Sequence, residues 1–150
     1  MKIFIGADHR GYKLKNKIVA WLVQQGHAVV DVGTDTDKTS CDYPKISYLV
    51  ASQVAKNKDA RGILVCMSGI GHAVAANKVR GAYAALCYNK MAAAFSREHN
   101  NTNILVLGAR FVPSKDIAGI VKVWLNTKFA GGRHQRRVNQ IKSIEKKQFK

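Results

Sequence analysis

Hydrophobic and polar positions alternate along this chain in blocks that predict strands and helices in turn. Short apolar runs have the length of buried strands, and between them apolar residues recur at helical spacing. The predicted strands are Lys2 to Gly6, Ala28 to Val32, the run Ile63 to Val65 leading to Cys66, Ala82 to Cys87, and Ile104 to Leu107. The predicted helices are Gly11 to Gln25, a helix opening at Pro44, the Ala-rich segment after Gly71, Lys90 to Glu98, a helix opening at Pro113 or Ser114, and the tail 134–147.

Five apolar strands separated by helices predict an α/β fold. Parallel strands joined by right-handed crossovers carry helices on both faces, so we expect a doubly wound, Rossmann-like, five-stranded parallel sheet. The length of 150 residues predicts a single domain, 1–150.

The tail carries an apolar stripe of Val138, Ile141 and Ile144 at three-residue spacing. The sheet should be complete before this tail, so we expect a C-terminal dimerisation helix whose stripe meets a partner. The alternative is that the helix folds back over its own subunit.

Residues with useful chemistry follow the predicted strands. In a parallel doubly wound sheet, ligands bind beyond the carboxyl ends of the strands. The residues at those ends are Asp8 and His9, the loop 33–43, Cys66 to Gly71, Asn89, and Gly108 to Arg110. The sequence therefore predicts a site with an acid, imidazole, thiol, glycine loop and guanidinium on one edge.

Cys66 lies at the end of a predicted strand, and a Ser/Gly loop connects it to the N-terminus of the next predicted helix. Free N–H groups and the helix dipole favour negative charge there, which should lower the thiol pKa and stabilise an anionic intermediate. The competing interpretation is a buried strand-end cysteine, with Gly69 and Gly71 making a tight turn.

The chain is strongly basic, with 25 Lys and Arg against nine acids and a net charge of +16. Nucleic acid is the obvious partner for such a charge. The basic residues are spread over helix faces without a DNA- or RNA-binding motif, so nucleic acid is not expected as the principal ligand. A small anionic substrate would also be attracted.

Composition also narrows the class and location of the protein. Hydrophobic residues make up 47% of the chain, which argues against disorder, and no apolar run is long enough to cross a membrane. Three cysteines in no framework spacing fit reduced thiols, and the N-terminus lacks the pattern of a signal peptide, so we expect a cytoplasmic protein.

Other motifs are weaker. Gly69-Ile70-Gly71 lacks the third glycine of a dinucleotide fingerprint and follows the third strand rather than the first. A cysteine phosphatase needs Arg at position 72, where this chain has His. The five histidines and three cysteines show no metal-ligand spacing, and a P-loop lysine is absent. We therefore expect neither a metal nor a cofactor.

Several separate segments occur in the order typical of one family. They are 6–11 (GADHRG), 42–44 (DYP), 66–78 (CMSGIGHAVAANK), 96–103 (SREHNNTN) and 131–138 (GGRHQRRV). The chain resembles the type B ribose-5-phosphate isomerases, with galactose-6-phosphate isomerase subunits as relatives. The resemblance implies a cofactor-free aldose–ketose isomerase of the pentose phosphate pathway that acts through a cis-enediolate.

The resemblance also implies roles for residues. Cys66 is the expected base, Ser68 moves a proton between the two oxygens, and His99 and Asp8 open the sugar ring. The backbone N–H groups of Met67, Gly69, Ile70 and Gly71 should hold the oxyanion, with Tyr43 and Asn100 nearby. Arg133 and Arg137, one helical turn apart, should bind the phosphate together with His9 and Arg110.

In this family the sites lie between two subunits, and residues matching His99, Asn100 and Arg110 come from the partner. The resemblance thus implies a homodimer, with the choice between dimer and tetramer left open. Asp8 could instead cap a helix, and the tail arginines could form a solvated basic face.

Two departures from the family pattern bear on the substrate. Position 67 is usually Gly and here is Met, whereas position 72 is His, a type not expected there. The alternatives to ribose 5-phosphate are galactose 6-phosphate, allose 6-phosphate or a tetrose phosphate. A non-catalytic protein that binds phosphosugar or nucleic acid on the same fold is a further alternative.

Overall fold

The computed structural model describes residues 1–148. The last two positions of the predicted domain, 149 and 150, lie outside the described residues. The strands are β1 (Lys2–Ala7), β2 (Ala28–Asp31), β3 (Arg61–Cys66), β4 (Ala84–Leu86) and β5 (Ile104–Gly108). The helices are α1 (Tyr12–Gln24), α2 (Tyr43–Lys56), α3 (Ile70–Ala76), α4 (Lys90–Asn100), α5 (Ser114–Asn126) and α6 (Gly132–Gln148).

The strands form one parallel sheet in the order β2-β1-β3-β5-β4, which confirms the predicted fold class. The chain first builds outward from β1 to β2 and then returns to place β3 on the other side of β1. The carboxyl ends of β1 and β3 therefore flank the topological switch point, where such sheets bind ligands.

Alternate residues of the strands enter two hydrophobic cores. Ile63 and Val65 of β3 pack in the core that includes residues of α1 and α5, whereas Leu64 packs with Val50 of α2 on the other face. Trp124 anchors the first core, and its Nε1–H donates to Thr102 Oγ1 at 3.1 Å. Both faces are thus covered by helices, as the strand pattern predicts.

Strand β4 is shorter than the predicted Ala82 to Cys87. The N–H of Ala82 donates to Val79 O in a turn, and the N–H of Tyr83 donates to the side chain of Asn103. These two donors are therefore not available to a sheet ladder.

Helix α6 packs against α4 of its own chain, which corrects part of the dimerisation prediction. Val138 is only 3% exposed, so the stripe begins inside its own subunit. Further along, the carboxylate of Glu145 accepts the N–H of Gly81 at 2.7 Å and the hydroxyl of Tyr83 at 3.0 Å. Ile141 and Ile144 are exposed, so only the later part of the stripe lacks a covering surface.

Among residues 1–148, no helix combines the length and apolar character that a membrane crossing requires.

Candidate active site

Asp8 follows β1 at the switch point and is buried. Its Oδ1 accepts the N–H groups of Arg10 and Gly11, both at 3.0 Å, so one oxygen holds the turn that leads into α1. No hydrogen bond from the described residues engages Oδ2. Asp8 therefore holds the turn before α1 and does not cap the helix, whose N-cap residue is Gly11 without a side-chain cap. The catalytic interpretation of Asp8 stays a prediction.

Cys66 ends β3 beside Asp8 and is 6% exposed. Its Sγ accepts the N–H of Gly69 at 3.1 Å. Gly69 has φ +85°, a left-handed conformation that suits glycine, and this turn aims the N–H back at the sulfur.

The prediction of a lowered thiol pKa is wrong. Burial raises the pKa of Cys66 from its ordinary 9.0, and the Asp8 carboxylate raises it further. The N–H groups of Gly69, Ser68 and His72 lower it, but by less than burial and Asp8 together raise it. Removing a thiolate from water outweighs the local N–H field at this strand end.

The loop after Cys66 curls back on itself. Ser68 Oγ accepts the N–H of Ile70 at 3.3 Å, and Ile70 is exposed at the start of α3. The ring of Tyr43 lies against Gly71, where an added Cβ would come within 2.6 Å of it. The Tyr43 ring and the glycine loop therefore form adjoining walls of one site.

A cavity of about 500 Å³ opens beside this loop. Its lining includes His9, Arg10, Lys13, Met67 and Arg110. A guanidinium nitrogen of Arg10 lies 3.6 Å from the thioether sulfur of Met67, so the side chain that replaces glycine at 67 touches a cation at the mouth. The cavity is positive and suits an anionic group.

Arg110 lies beside the Met67 loop of its own chain, whereas the resemblance implied that it reaches the site from a partner. Strand β5 is the neighbour of β3, and the Arg110 N–H donates to Met67 O at 3.0 Å. The pairing of these strands fixes Arg110 next to the loop of its own subunit.

His72 occupies a position that the sequence did not explain. It is fully buried, its Nδ1 lies 2.6 Å from Ser47 Oγ, and its ring meets Tyr43 edge to face at 5.7 Å. Burial lowers the pKa of His72 to about 4, so the imidazole is neutral near pH 7. The unusual residue type at 72 was a signal in the sequence, whereas nothing marked Ser47 as its partner.

The other predicted site residues lie at the opposite edge of the sheet. Helix α4 starts after the carboxyl end of β4 and has 11 residues, which makes it about 16 Å long. His99 and Asn100 lie at its far end, near the start of β5. His99 stacks on His134 of α6 at 4.2 Å. Arg133 and Arg137 are exposed on the same helix. The structure thus separates the predicted residues into two groups within one chain.

The second group is strongly positive. Burial, together with the charges of His99, Arg133 and Arg137, lowers the pKa of His134. The ring of His99, which stacks on His134, also stacks on the ring of Phe95, with 4.8 Å between the ring centres of Phe95 and His99. Within the described residues, no three His, Cys, Asp or Glu side chains gather as metal ligands would.

The sequence pattern of the Ribose/Galactose Isomerase family matches residues 3–141. The chain belongs to this family. The match includes both groups of predicted site residues.

Members of the Ribose/Galactose Isomerase family resemble the chain over nearly its whole length. Ribose-5-phosphate isomerase B of Escherichia coli (strain K12) is 43% identical over 146 residues, covering 97% of each chain. The solved ribose-5-phosphate isomerase B of Clostridium thermocellum is 48% identical, with a TM-score of 0.94 over 98% of this chain and 99% of the other.

A third family member was solved with a ligand. The crystal structure of ribose-5-phosphate isomerase B from Mycoplasma genitalium contains bound ribulose-5-phosphate. It is 44% identical to this chain, with a TM-score of 0.93 over 97% of this chain and 96% of the other.

Proposed function

We propose that this chain interconverts ribose 5-phosphate and ribulose 5-phosphate through a cis-enediolate. The observation that carries the proposal is Cys66, a buried thiol beside Asp8 whose sulfur accepts a loop N–H at the sheet's switch point. The 44% identical relative with bound ribulose-5-phosphate supports the choice of substrate.

The Cys66 thiolate removes the proton from C2 of the open-chain aldose. The electron pair forms the enediolate, and the negative charge develops on the carbonyl oxygen. We assign the stabilisation of that oxygen to backbone N–H groups of the 67–71 loop, and the transfer of a proton between the two oxygens to Ser68. The N–H groups of Gly69 and Ile70 bind Cys66 Sγ and Ser68 Oγ in the free chain, so they would exchange these acceptors for the oxyanion. Returning the proton from sulfur to C1 gives the ketose.

Sugar phosphates are mainly cyclic, so the ring must open first. Asp8 has one oxygen committed to backbone N–H groups and the other available to a ligand. We assign ring opening to Asp8 and His99, with Tyr43 and Asn100 contacting the sugar hydroxyls. Since His99 and Asp8 lie at opposite edges of one chain, they must come from two copies.

The phosphate group needs guanidinium and imidazole donors. His9 and Arg110 line the cavity beside Met67. Arg133 and Arg137 lie on the same end of the molecule as His99, so a second copy would bring all three together. We therefore propose a homodimer whose sites are completed by the partner; dimers of dimers would satisfy the same geometry.

The proposed setting is cytoplasmic, with residues 1–150 acting as one domain and no metal or cofactor taking part. Cys41, Cys66 and Cys87 are free, as a reducing compartment requires.

The test is direct conversion of substrate by the purified chain. Ribose 5-phosphate, galactose 6-phosphate, allose 6-phosphate and a tetrose phosphate are supplied separately, and the product isomer is followed by NMR. Ribose 5-phosphate should give the highest kcat/KM. Cys66→Ala should abolish turnover, with Cys87→Ala, another buried thiol, as the matched control. Faster conversion of a different sugar would overturn the substrate, and active Cys66→Ala would overturn the base.

A further inference from the structure

A second cavity lies at the amino edge of the sheet, away from Cys66. Its volume is about 600 Å³, it opens to solvent on one side, and it is lined by residues of α2, β3, α4, α6 and the turns next to them. Six basic side chains line it: Lys58, Arg61, Arg80, Arg97, Lys142 and Lys146. Glu145 is the one acid among its described lining residues.

Five of the six cations in this cavity have no carboxylate within salt-bridge distance among the described residues. The Glu145 carboxylate is bound to the N–H of Gly81 and the hydroxyl of Tyr83. Across residues 1–148, the salt bridges within 4.0 Å are Lys13–Asp37 and Lys15–Asp31. Five cavity cations therefore repel one another without a paired carboxylate. They are Lys58, Arg61, Arg97, Lys142 and Lys146.

Arg97 forms the buried wall of the cavity and is 6% exposed. One guanidinium nitrogen donates to Asn101 Oδ1 at 3.0 Å and to Thr102 O, and the group lies 5.8 Å from the centre of the Trp124 ring. Its Nε is buried without a hydrogen-bond partner among the described residues. A buried donor left unpaired makes the charge of Arg97 costly, and an anion in the cavity would offset that cost through its negative charge.

Burial and the charge of Arg61 lower the pKa of Arg97 to about 10. The guanidinium still carries its charge at pH 7. The direction of the shift agrees with the geometry, because two like charges lie close together at this end of the sheet.

We propose that this cavity binds a small polyphosphate anion at a site separate from the isomerase site. Five cations without a paired carboxylate around about 600 Å³ exceed what a single phosphate dianion would need, whereas a chain of phosphates spreads its charge over several of them. The cations surround one hollow and Arg97 in its wall is buried, so a compact anion fits better than a nucleic-acid backbone, which needs an extended exposed strip.

The bound anion would connect α6 to α2 and α4. Lys142 and Lys146 lie on α6, Lys58 follows α2, and Arg97 lies on α4. Relief of repulsion between these cations should stabilise the folded chain, so the ligand should raise the melting temperature.

The probe is inorganic tripolyphosphate, added to the full chain and followed by calorimetry and thermal melting. The double variant Arg61→Gln/Lys142→Gln should weaken binding by about tenfold to a hundredfold, the loss expected for one or two charge-assisted contacts. Lys115→Gln/Lys122→Gln removes the same charge from exposed positions of α5 and should bind as the wild type does. Turnover of ribose 5-phosphate should be unchanged in both.

Adenosine triphosphate and a short single-stranded RNA are the further arms. Equal or tighter binding of adenosine triphosphate, lost in the same double variant, supports the site and identifies a nucleotide as a source of the phosphate chain. Equal loss in both double variants, or tighter RNA binding that both weaken alike, would show attraction to general charge and overturn the proposal. The proposal is also overturned if tripolyphosphate does not bind. It is overturned as well if tripolyphosphate competes with ribose 5-phosphate and its binding is lost in Arg137→Ala.

Discussion

At the scale of single residues, Cys66 is the proposed base although its surroundings favour the protonated thiol. Burial and Asp8 raise its pKa, and the N–H of Gly69 opposes them only in part. The resting enzyme therefore holds a thiol, and only a fraction of molecules carry the reactive thiolate at pH 7. The position of Cys66 at a strand end could be predicted from the sequence, but the sign of its pKa shift depends on burial and on Asp8 from another strand.

The first prediction concerns the pH dependence of turnover. We expect kcat/KM for ribose 5-phosphate to keep rising with pH beyond 9, because the pKa of Cys66 is raised above its ordinary 9.0. Asp8→Asn removes the carboxylate that raises this pKa, so its lower rate should approach a plateau at lower pH. Initial rates over a range of pH test both. A wild-type profile that is already level at neutral pH would contradict the raised pKa.

The second prediction concerns His72 and stability. Its folded pKa of about 4 is below the ordinary 6.5, so protonation favours the unfolded chain. The stability contributed by the neutral ring is present above pH 6.5 and is lost as the pH falls toward 4, by at most about 3 kcal/mol. His72→Gln should reduce this acid-side loss, as measured by urea unfolding at several pH values.

His27→Gln is the comparison for that measurement. His27 has a lowered pKa without the deep burial of His72, so its substitution should change the acid-side slope less. An identical slope in wild type and His72→Gln would show that His72 does not titrate as the structure indicates.

At the scale of elements, α6 combines a docking face with a basic face. Val138 and Glu145 tie the helix to its own chain, while Arg133 and Arg137 stay exposed near its start. The three-residue spacing in the sequence correctly predicted a helix with one apolar side. It could not reveal that α4 would cover Val138, because periodicity defines a face and not the surface that the face meets.

The third prediction uses neighbouring arginines of this helix. Arg137→Ala should raise KM for ribose 5-phosphate by about tenfold to a hundredfold, the effect of losing one charge-assisted contact to phosphate. Arg136→Ala removes the same charge one position away and should leave KM nearly unchanged. Steady-state kinetics of both variants decide the point. Equal effects would mean that α6 contributes only general positive charge.

The strands illustrate how far sequence patterns reach. Five apolar runs predicted five strands, and the residues after β1, β3 and β5 lie at the predicted edge. The start of β4 was misplaced, because the Asn103 side chain accepts the Tyr83 N–H and only the folded chain brings those residues together. The contact of Ser47 with His72 was likewise invisible, since it joins two helices far apart in sequence.

At the scale of the whole molecule, one chain carries two groups of site residues on opposite edges of its sheet. Asp8, Cys66 and Arg110 lie at the carboxyl edge, while His99 and Arg137 lie beyond the other. The fourth prediction follows from this division. Cys66→Ala and His99→Ala should each be inactive, and mixing them with subunit exchange should restore about a quarter of wild-type activity.

The reason is the composition of the exchanged dimers. Half of them are mixed, and each mixed dimer has one site with both lesions and one site with neither. Exchange is confirmed by mass spectrometry of differently labelled chains. A mixture that exchanges but stays inactive would assign each complete site to a single chain.

The length of α4 then has a consequence for how the enzyme behaves at low abundance. That helix holds His99 away from the Cys66 of its own chain. If the site is completed by a partner as proposed, a newly made chain is inactive until it binds a second chain. Activity in a dilute solution would grow with the square of chain concentration and fall more steeply than the amount of protein. A cell that halves its supply of this chain near the dissociation constant would lose more than half of its isomerase flux.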